Sequence, residues 1–232
     1  MKWITTLMIF SMLLLTVACS SKPATSSNKE LELSAANISS LVLDNSNGKI
    51  EVIGKKDTDK IQASVIATGN NMDKLKLSLE GKDGVATLNA FFEGQFMSTG
   101  AQNVDIKLTI PEQIKLEIKH PHRDGDIQVT HLASDVSIDN VNGNITLQEI
   151  GGAIDLKNRD GEITIQDSSS DVNIENVNGH IKADKIGGTA YIELGDGSLD
   201  INQVSKDVVI IQSGNGKVSV GDVKGKVTQS KK

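Results

Sequence analysis

From residue 124 onward the chain repeats one short phrase at a nearly constant interval: Asn or Asp, then Gly, a polar residue, and an aliphatic residue. It occurs as Asp124-Gly125-Asp126-Ile127, Asn142-Gly143-Asn144-Ile145, Asp160-Gly161-Glu162-Ile163, Asn178-Gly179-His180-Ile181, Asp196-Gly197-Ser198-Leu199 and Asn215-Gly216-Lys217-Val218. The glycines advance by 18 residues four times and by 19 once. Independent hairpins have no reason to keep equal lengths. Coils that lie on top of one another do, so a strict period predicts a stacked-repeat architecture.

One unit, residues 135–152, shows the physical content. Val136 and Ile138 alternate with polar residues, and so do Ile145 and Leu147; each pair reads as a short strand with one buried face. Val141 with Asn142-Gly143 forms one corner, where Asn and Gly adopt positive φ at low cost. Ile150 with Gly151-Gly152 forms the second. The pattern returns as Ile154, Leu156, Ile163, Ile165; as Val172, Ile174, Val177, Ile181, Ile186; as Ile192, Leu194, Leu199, Ile201, Val204; and as Val208, Ile210, Val218, Val220, Val223. Stacking then aligns Val136, Ile154, Val172, Ala190 and Val208 in an inward column, and Asn142, Asp160, Asn178, Asp196 and Asn215 at a corner. An Asn-Gly between two strands is also a strong hairpin signal, so twisted antiparallel sheets are the competing fold. A left-handed hexapeptide helix also has 18 residues per turn, but it needs a small aliphatic residue at every sixth position. Asn142 and Gln148 occupy those places.

Residues 38–118 carry strands without the tight beat. Leu41 to Val52 looks like one coil with an Asn47-Gly48 corner; longer strands are expected from Ile61, Leu75, Val85 and Val104, with Pro111 breaking the last before Ile114. These read as wider coils or hairpins covering the N-terminal opening of the stack. The stretch Val104-Asp105-Ile106-Lys107-Leu108-Thr109-Ile110-Pro111-Glu112-Gln113-Ile114-Lys115-Leu116-Glu117-Ile118, followed by serial G-x-I-x-I coils, resembles a large bacterial family of unknown function labelled as adhesins. The resemblance covers residues 38–228. It implies a β-solenoid displayed on the cell envelope, without an established enzymatic activity and without binding residues to carry over.

The expected fold class is therefore all-β: a single-stranded, β-helix-like solenoid with coils of ~18 residues, preceded by wider irregular β coils or hairpins. Residues 38–118 form its irregular part and 119–228 its regular coils, with 229–232 as a tail. Ahead of it, Lys2 and the apolar run Ile4–Val17 have the form of a secretory signal, too short for a spanning helix. Leu15-Thr16-Val17-Ala18-Cys19 resembles the lipobox of bacterial lipoproteins. This resemblance implies removal of residues 1–18 and lipidation of Cys19, which anchors the protein to a membrane on the extracytoplasmic side. Residues 19–37 read as a flexible tether rich in Ser, Thr, Lys and Asn.

Composition removes several function classes. The formal net charge is −6, with no basic stripe, which argues against nucleic acid as a partner. Cys19 is the one cysteine, so no disulfide is expected. Only Phe91, Phe92, Phe96 and Tyr191 remain as aromatics beyond the signal, so the core must be Ile, Val and Leu.

Candidate sites are few. A single corner Asx per coil does not supply the six to eight converging oxygens of a calcium site. His120, His122 and His131 are close in sequence, but the beat places His120 inward and His122 outward, so a metal centre is not expected. Asp139, Lys157, Glu175 and Glu193 share an outer column that reads as solvated charge. No nucleophile–base or phosphate-loop pattern stands out, and no catalytic residue, cofactor or metal is assigned. Phe91, Phe92 and Phe96 gather in one stretch, as a plug for the open core or a partner surface. Tyr191, Val209 and Ile211 should point outward as further contact residues. Lys217, Lys224, Lys226, Lys231 and Lys232 crowd the C-terminal end, where lysines guard exposed strand edges. The function expected is non-catalytic: display of a solenoid surface for adhesion or for binding an extended polysaccharide or an envelope protein. The alternatives are an accessory of an envelope-stress or signalling system that contacts a membrane protein and, more distantly, a polysaccharide-processing enzyme.

Overall fold

The computed structural model describes residues 24–94 and 102–232. Seven strands precede the regular coils: β1 (Thr25–Ser34), β2 (Ser40–Asp44), β3 (Ile50–Lys55), β4 (Lys60–Gly69), β5 (Leu75–Lys82), β6 (Val85–Phe92) and β7 (Asn103–Pro111). The coils follow as β8 (Lys115–His122) with β9 (Ile127–Leu132), β10 (Val136–Asn142) with β11 (Ile145–Ile150), and β12 (Ile154–Asp160) with β13 (Ile163–Ser168). β14 (Val172–Ile186) and β15 (Ala190–Val204) each run through a corner as one continuous strand. β16 (Val208–Gln212), β17 (Val218–Val220) and β18 (Val227–Lys231) close the chain's described part.

Each coil contributes one strand to each of two facing sheets. In the first sheet the hydrogen-bonded order is β5, β6, β2, β8, β10, β12, the first halves of β14 and β15, β16 and β18. In the second it is β1, β4, β7, β3, β9, β11, β13, the second halves of β14 and β15, and β17. From β6 and β7 onward every pairing is parallel, and the register advances by 18 residues: Val136 opposite Ile154, then Val172, Ala190 and Val208. The fold is thus the expected β-solenoid of stacked ~18-residue coils. Inward side chains from both sheets merge into one aliphatic core, with Ile138, Leu147, Leu156, Ile165, Ile174 and Ile192 buried. No side chain in this stack can turn outward without moving every residue of its strand, because strand periodicity is two.

The N-terminal end departs from chain order. The coil made of β2 and β3 lies between the β6–β7 coil and the β8–β9 coil, so segments far apart in sequence flank it. The opening is covered by antiparallel strands, β5 on β6 in one sheet and β4 on β7 in the other. β1 then pairs antiparallel with β4 over its full length, Thr25 opposite Gly69 and Ser34 opposite Lys60. This corrects the tether boundary: residues 25–34 are an edge strand, because alternating Leu31 and Leu33 pack against the core. At the other end, β18 pairs with β16, so residues 229–231 belong to the sheet and not to a tail.

One inward column also differs from expectation. Val177 points outward and is 52% exposed, while Asn140, Asn158 and Asn176 take the buried position before the corner. The chain bends there, and an amide inside can bond to the next rung: Asn140 Nδ2 donates to Asn158 Oδ1 at 3.0 Å. Leu194 continues the same column one coil further on.

Candidate interaction surfaces

The corners are built from hydrogen bonds that pass from coil to coil. The polar residue after each corner glycine is the stitch: Asp126 Oδ1 accepts from the Asn144 amide at 2.9 Å, and Asn144 Oδ1 accepts from the Glu162 amide at 3.0 Å. Asp135, Asp171 and Asp207 do the same on alternate coils, for the amides of Ala153, Thr189 and Lys226. In two columns an Asn amide meets the Asp of the coil below: Asn178 Nδ2 bonds Asp160 at 2.7 Å, and Asn173 Nδ2 bonds Asp155 at 2.9 Å. Like charges stacked at strand spacing would repel. These corner Asx side chains bond from coil to coil, and among the described residues no group of three or more His, Cys, Asp or Glu converges to hold a metal ion.

The second corner uses a signal that the sequence did not reveal. His131, Glu149, Asp167, Lys185 and Gln203, spaced by 18, all have φ between 53° and 60°. Non-glycine residues in this left-handed region each cost about 1–2 kcal/mol, so the turn is imposed by the stack and not by the residue. The expected corner at Gly151-Gly152 therefore begins earlier, at Glu149. Side-chain contacts knit the column: His131 Nε2 lies 3.2 Å from Glu149 Oε2, and Lys185 forms an ion pair with Asp167 at 3.1 Å. Shallow grooves of about 610 and 460 Å³ run beside it.

On the outer face of the first sheet, Asn173, Tyr191, Val209 and Thr228 form one column and Glu175, Glu193, Ile211 and Ser230 the next. Tyr191 is 37% exposed, and Val209 and Ile211 are half-buried beside it. Lys232 reaches across β16 to bond Glu193 at 2.7 Å, bordering the patch; the hydrogen bond it donates to that carboxylate raises the lysine's pKa. A groove of about 470 Å³ continues from this patch along Asp139, Lys157, Glu175 and Glu193, with Val141 and Val177 on its opposite wall. Lys157 pairs with Glu175 at 3.3 Å within it. Three of the four charges in this column are acidic, and Glu175 lies directly beside Glu193.

The remaining candidates separate. Phe92 is 2% exposed and packs over Gly69, so it belongs to the core and leaves the set of surface residues. β6 alternates burial, which leaves its neighbour Phe91 half-buried on the outer side. Phe96 and Cys19, with the signal residues 1–18, lie outside the described residues. His122 is buried, not outward, because the register shifts between Ile118 and His122 and brings it level with Asn140. Its Nδ1 lies 2.7 Å from Asn140 Oδ1, and its Nε2 lies 3.0 Å from the Gly48 carbonyl oxygen. His131 stands at the opposite corner, so these two histidines do not converge. A different histidine meets a hydroxyl: His180 Nδ1 sits 2.8 Å from Ser198 Oγ. Among the described residues no carboxylate forms an ion pair with that imidazole, the role the third member plays in a hydrolytic triad. No helix among the described residues is long and apolar enough to cross a membrane.

Two sheets of stacked parallel strands with Asx-Gly corners define the molecule as a two-strand-per-coil β-solenoid. The chain belongs to the Toastrack DUF4097 family, whose profile matches residues 38–231. Solved structures similar to it include the following three. One is a candidate cell adhesion protein of Clostridium sporogenes: 13% identity, 90% of this chain and 100% of that chain covered, TM-score 0.41. The others are candidate adhesins of Bacteroides fragilis (15% identity, 90% and 98% covered, TM-score 0.45) and Parabacteroides distasonis (15% identity, 89% and 97% covered, TM-score 0.40). No curated protein matches the chain.

Proposed function

We propose that this protein is a non-catalytic module of the cell envelope, held by a lipid on Cys19, that binds an extended partner along the outer face of its first sheet. The observation that carries this reading is the contiguous Tyr191, Val209 and Ile211 patch on a rigid parallel face. Rigid aromatic anchors flanked by aliphatic residues are the usual centre of a binding surface. The face repeats its side-chain positions every ~4.8 Å, which suits a partner that is itself extended, a polysaccharide or a strand-like protein segment. The lipobox-like Leu15–Cys19 supports the anchor.

The test has two arms. Cys19→Ala should move the protein from the membrane fraction to the soluble fraction; retention at the membrane would remove the anchor from this reading. The soluble variant is then applied to isolated envelope polymer and, separately, crosslinked in intact cells. Retention on polymer, reduced about tenfold by Tyr191→Ala, identifies a glycan-binding face. Crosslinking to one membrane protein without polymer retention identifies the signalling accessory. A Tyr191→Ala protein that behaves as wild type in both experiments overturns the assignment of this face.

A further inference from the structure

One buried column of the stack is mostly polar. The residue that enters the core just ahead of each Asx-Gly corner is Asn140, Asn158 and Asn176 in successive coils, level with one another across the strands and followed by Leu194 and Gln212. In the other direction the column continues with His122, level with Asn140. Asn45 comes next, two residues before Asn47, as His122 stands two before the bridge partner Asp124. Each polar member is at most 6% exposed. His122 arrives there through an irregularity: β8 takes four residues from Ile118 to His122 where β10 takes two from Ile138 to Asn140. It is the one member of this column that can change its charge.

The hydrogen bonds around the ring have a definite direction. Nε2 lies 3.0 Å from the Gly48 carbonyl oxygen, which can only accept. Nδ1 lies 2.7 Å from Asn140 Oδ1, and Asn140 is held in that orientation by donating its own Nδ2 to Asn158 Oδ1 at 3.0 Å. Both ring nitrogens therefore face acceptors, an arrangement that only the doubly protonated imidazolium satisfies. Gly48 comes from the corner after β2 and Asn140 from β10, and neither titrates. The charged side chains beside these residues belong to the outside: Lys49, Arg123 and Asp124 are exposed, Asp44 and Asp139 are half-buried on the outer side, and Asp105 of β7 bonds the Lys49 amide. The ring's hydrogen bonds are thus to neutral dipoles and not to a carboxylate.

Loss of one proton breaks this pattern in a determined way. A neutral imidazole has a single N–H. With that N–H kept on the Gly48 carbonyl, Nδ1 becomes an acceptor 2.7 Å from an amide oxygen, lone pair against lone pair. Half a turn of the Asn140 amide repairs the contact, since Nδ2 then donates to Nδ1. Asn140 Oδ1 now faces Asn158, whose amide turns as well and donates its Nδ2 to Asn140 Oδ1. That turn gives Asn158 Nδ2 the protein partner it lacks while the ring is charged. The Asn158 oxygen passes to the side of Asn176, whose Nδ2 is otherwise held by a 3.3 Å bond to the Asn178 carbonyl. The apolar Leu194 rung ends the relay.

We propose that His122, Asn140 and Asn158 form a proton-operated switch in the core of the stack. With the imidazole charged, their hydrogen bonds run from the ring toward Asn158; with it neutral, they run from Asn158 toward the ring. The bond to Gly48 persists in both states, so the coil of β2 and β3 stays joined to the regular coils while the polarity of the column reverses. The switch does not depend on the envelope location proposed above; in that location it answers to the pH of the surroundings.

The test is nitrogen NMR of the isotope-labelled full chain across a pH titration. At the acid end both ring nitrogens of His122 should carry protons. As pH rises Nδ1 should lose its proton and a nitrogen–nitrogen coupling should appear across the new bond from Asn140 Nδ2, while the Asn158 side-chain amide shifts with the same midpoint. Asn158→Asp puts an obligatory acceptor at the far end, so Asn140 must keep its oxygen on the ring; the His122 midpoint should rise by about one pH unit or more. If that variant does not fold, the coupling in the wild type decides alone. A ring that keeps one protonation state from about pH 4 to pH 9 would overturn the switch. So would loss of the proton from Nε2 in place of Nδ1, or loss from Nδ1 with neither the coupling nor a shift at Asn158.

Discussion

At Gly161 two requirements coincide. Its φ is +132°, and a Cβ there would run into the carbonyl oxygen of Gly143 in the coil below. Gly94 separates these causes, since its φ is +78° with open space around the absent Cβ. Gly161→Ala should therefore lose about 2–4 kcal/mol of stability and Gly94→Ala only about 1 kcal/mol, as read from urea unfolding. Asp135 makes a second prediction. Its hydrogen bond from Lys115, at 2.8 Å, and then the Ala153 amide hold its carboxyl below the usual carboxylate range. A depressed folded-state pKa stabilises above the unfolded value, about 3.9 for Asp, and that contribution disappears as pH falls through the folded-state value. Asp135→Asn should cost at most about 1 kcal/mol at pH 7, given the solvent exposure of the pair. The gap from wild type should close at the acid end of the range; a pH-independent gap would count against this cause.

Within an element, the buried asparagine column shows where polar burial helps and where it does not. Asn140 is bonded on both sides, to His122 and Asn158, whereas Asn176 Oδ1 and Asn158 Nδ2 have no protein partner. Asn176→Leu reproduces the Leu194 rung above it, so thermal unfolding should occur at an unchanged or higher temperature. Asn140→Leu strands the ring nitrogen of His122 and the Asn158 carbonyl oxygen, and should cost about 1–3 kcal/mol. The same column explains a limit of sequence reading. Val177 outside and Asn176 inside reverse the hydrophobic pattern, because the strand bends into its corner at that point and an inward amide can bond along the stack. The left-handed corner at Glu149, Asp167 and Lys185 was equally hidden, since only the aspartate of these three is of a type enriched at positive φ. Tyr191, Val209 and Ile211 were legible as outward residues because they sit in straight strand segments where alternation holds. Phe92 was not separable from Phe91 in a run of adjacent aromatics until the pairing of β6 fixed its face.

Across the whole molecule, the stack behaves as a one-dimensional array in which each coil touches its neighbours. Deleting residues 154–171 removes one whole period and keeps every column aligned, so the shortened protein should still unfold cooperatively, at a lower temperature. Deleting 154–170 slips the next coil by one residue and turns its core side chains to solvent; circular dichroism should then show loss of the native melt. If both deletions behaved alike, vertical alignment would not be what holds the domain together. The sequence by itself determined the period, the two strands per coil and the inward columns, because a coil can stack on another only when equal residue types recur at equal heights. Only the tertiary structure decided that β2 and β3 enter the stack between coils formed later in the chain, that β1 is an edge strand and not a tether, and that antiparallel strands cover the N-terminal end. Those pairings join segments distant in sequence and occur once each, so they leave no repeating trace to read.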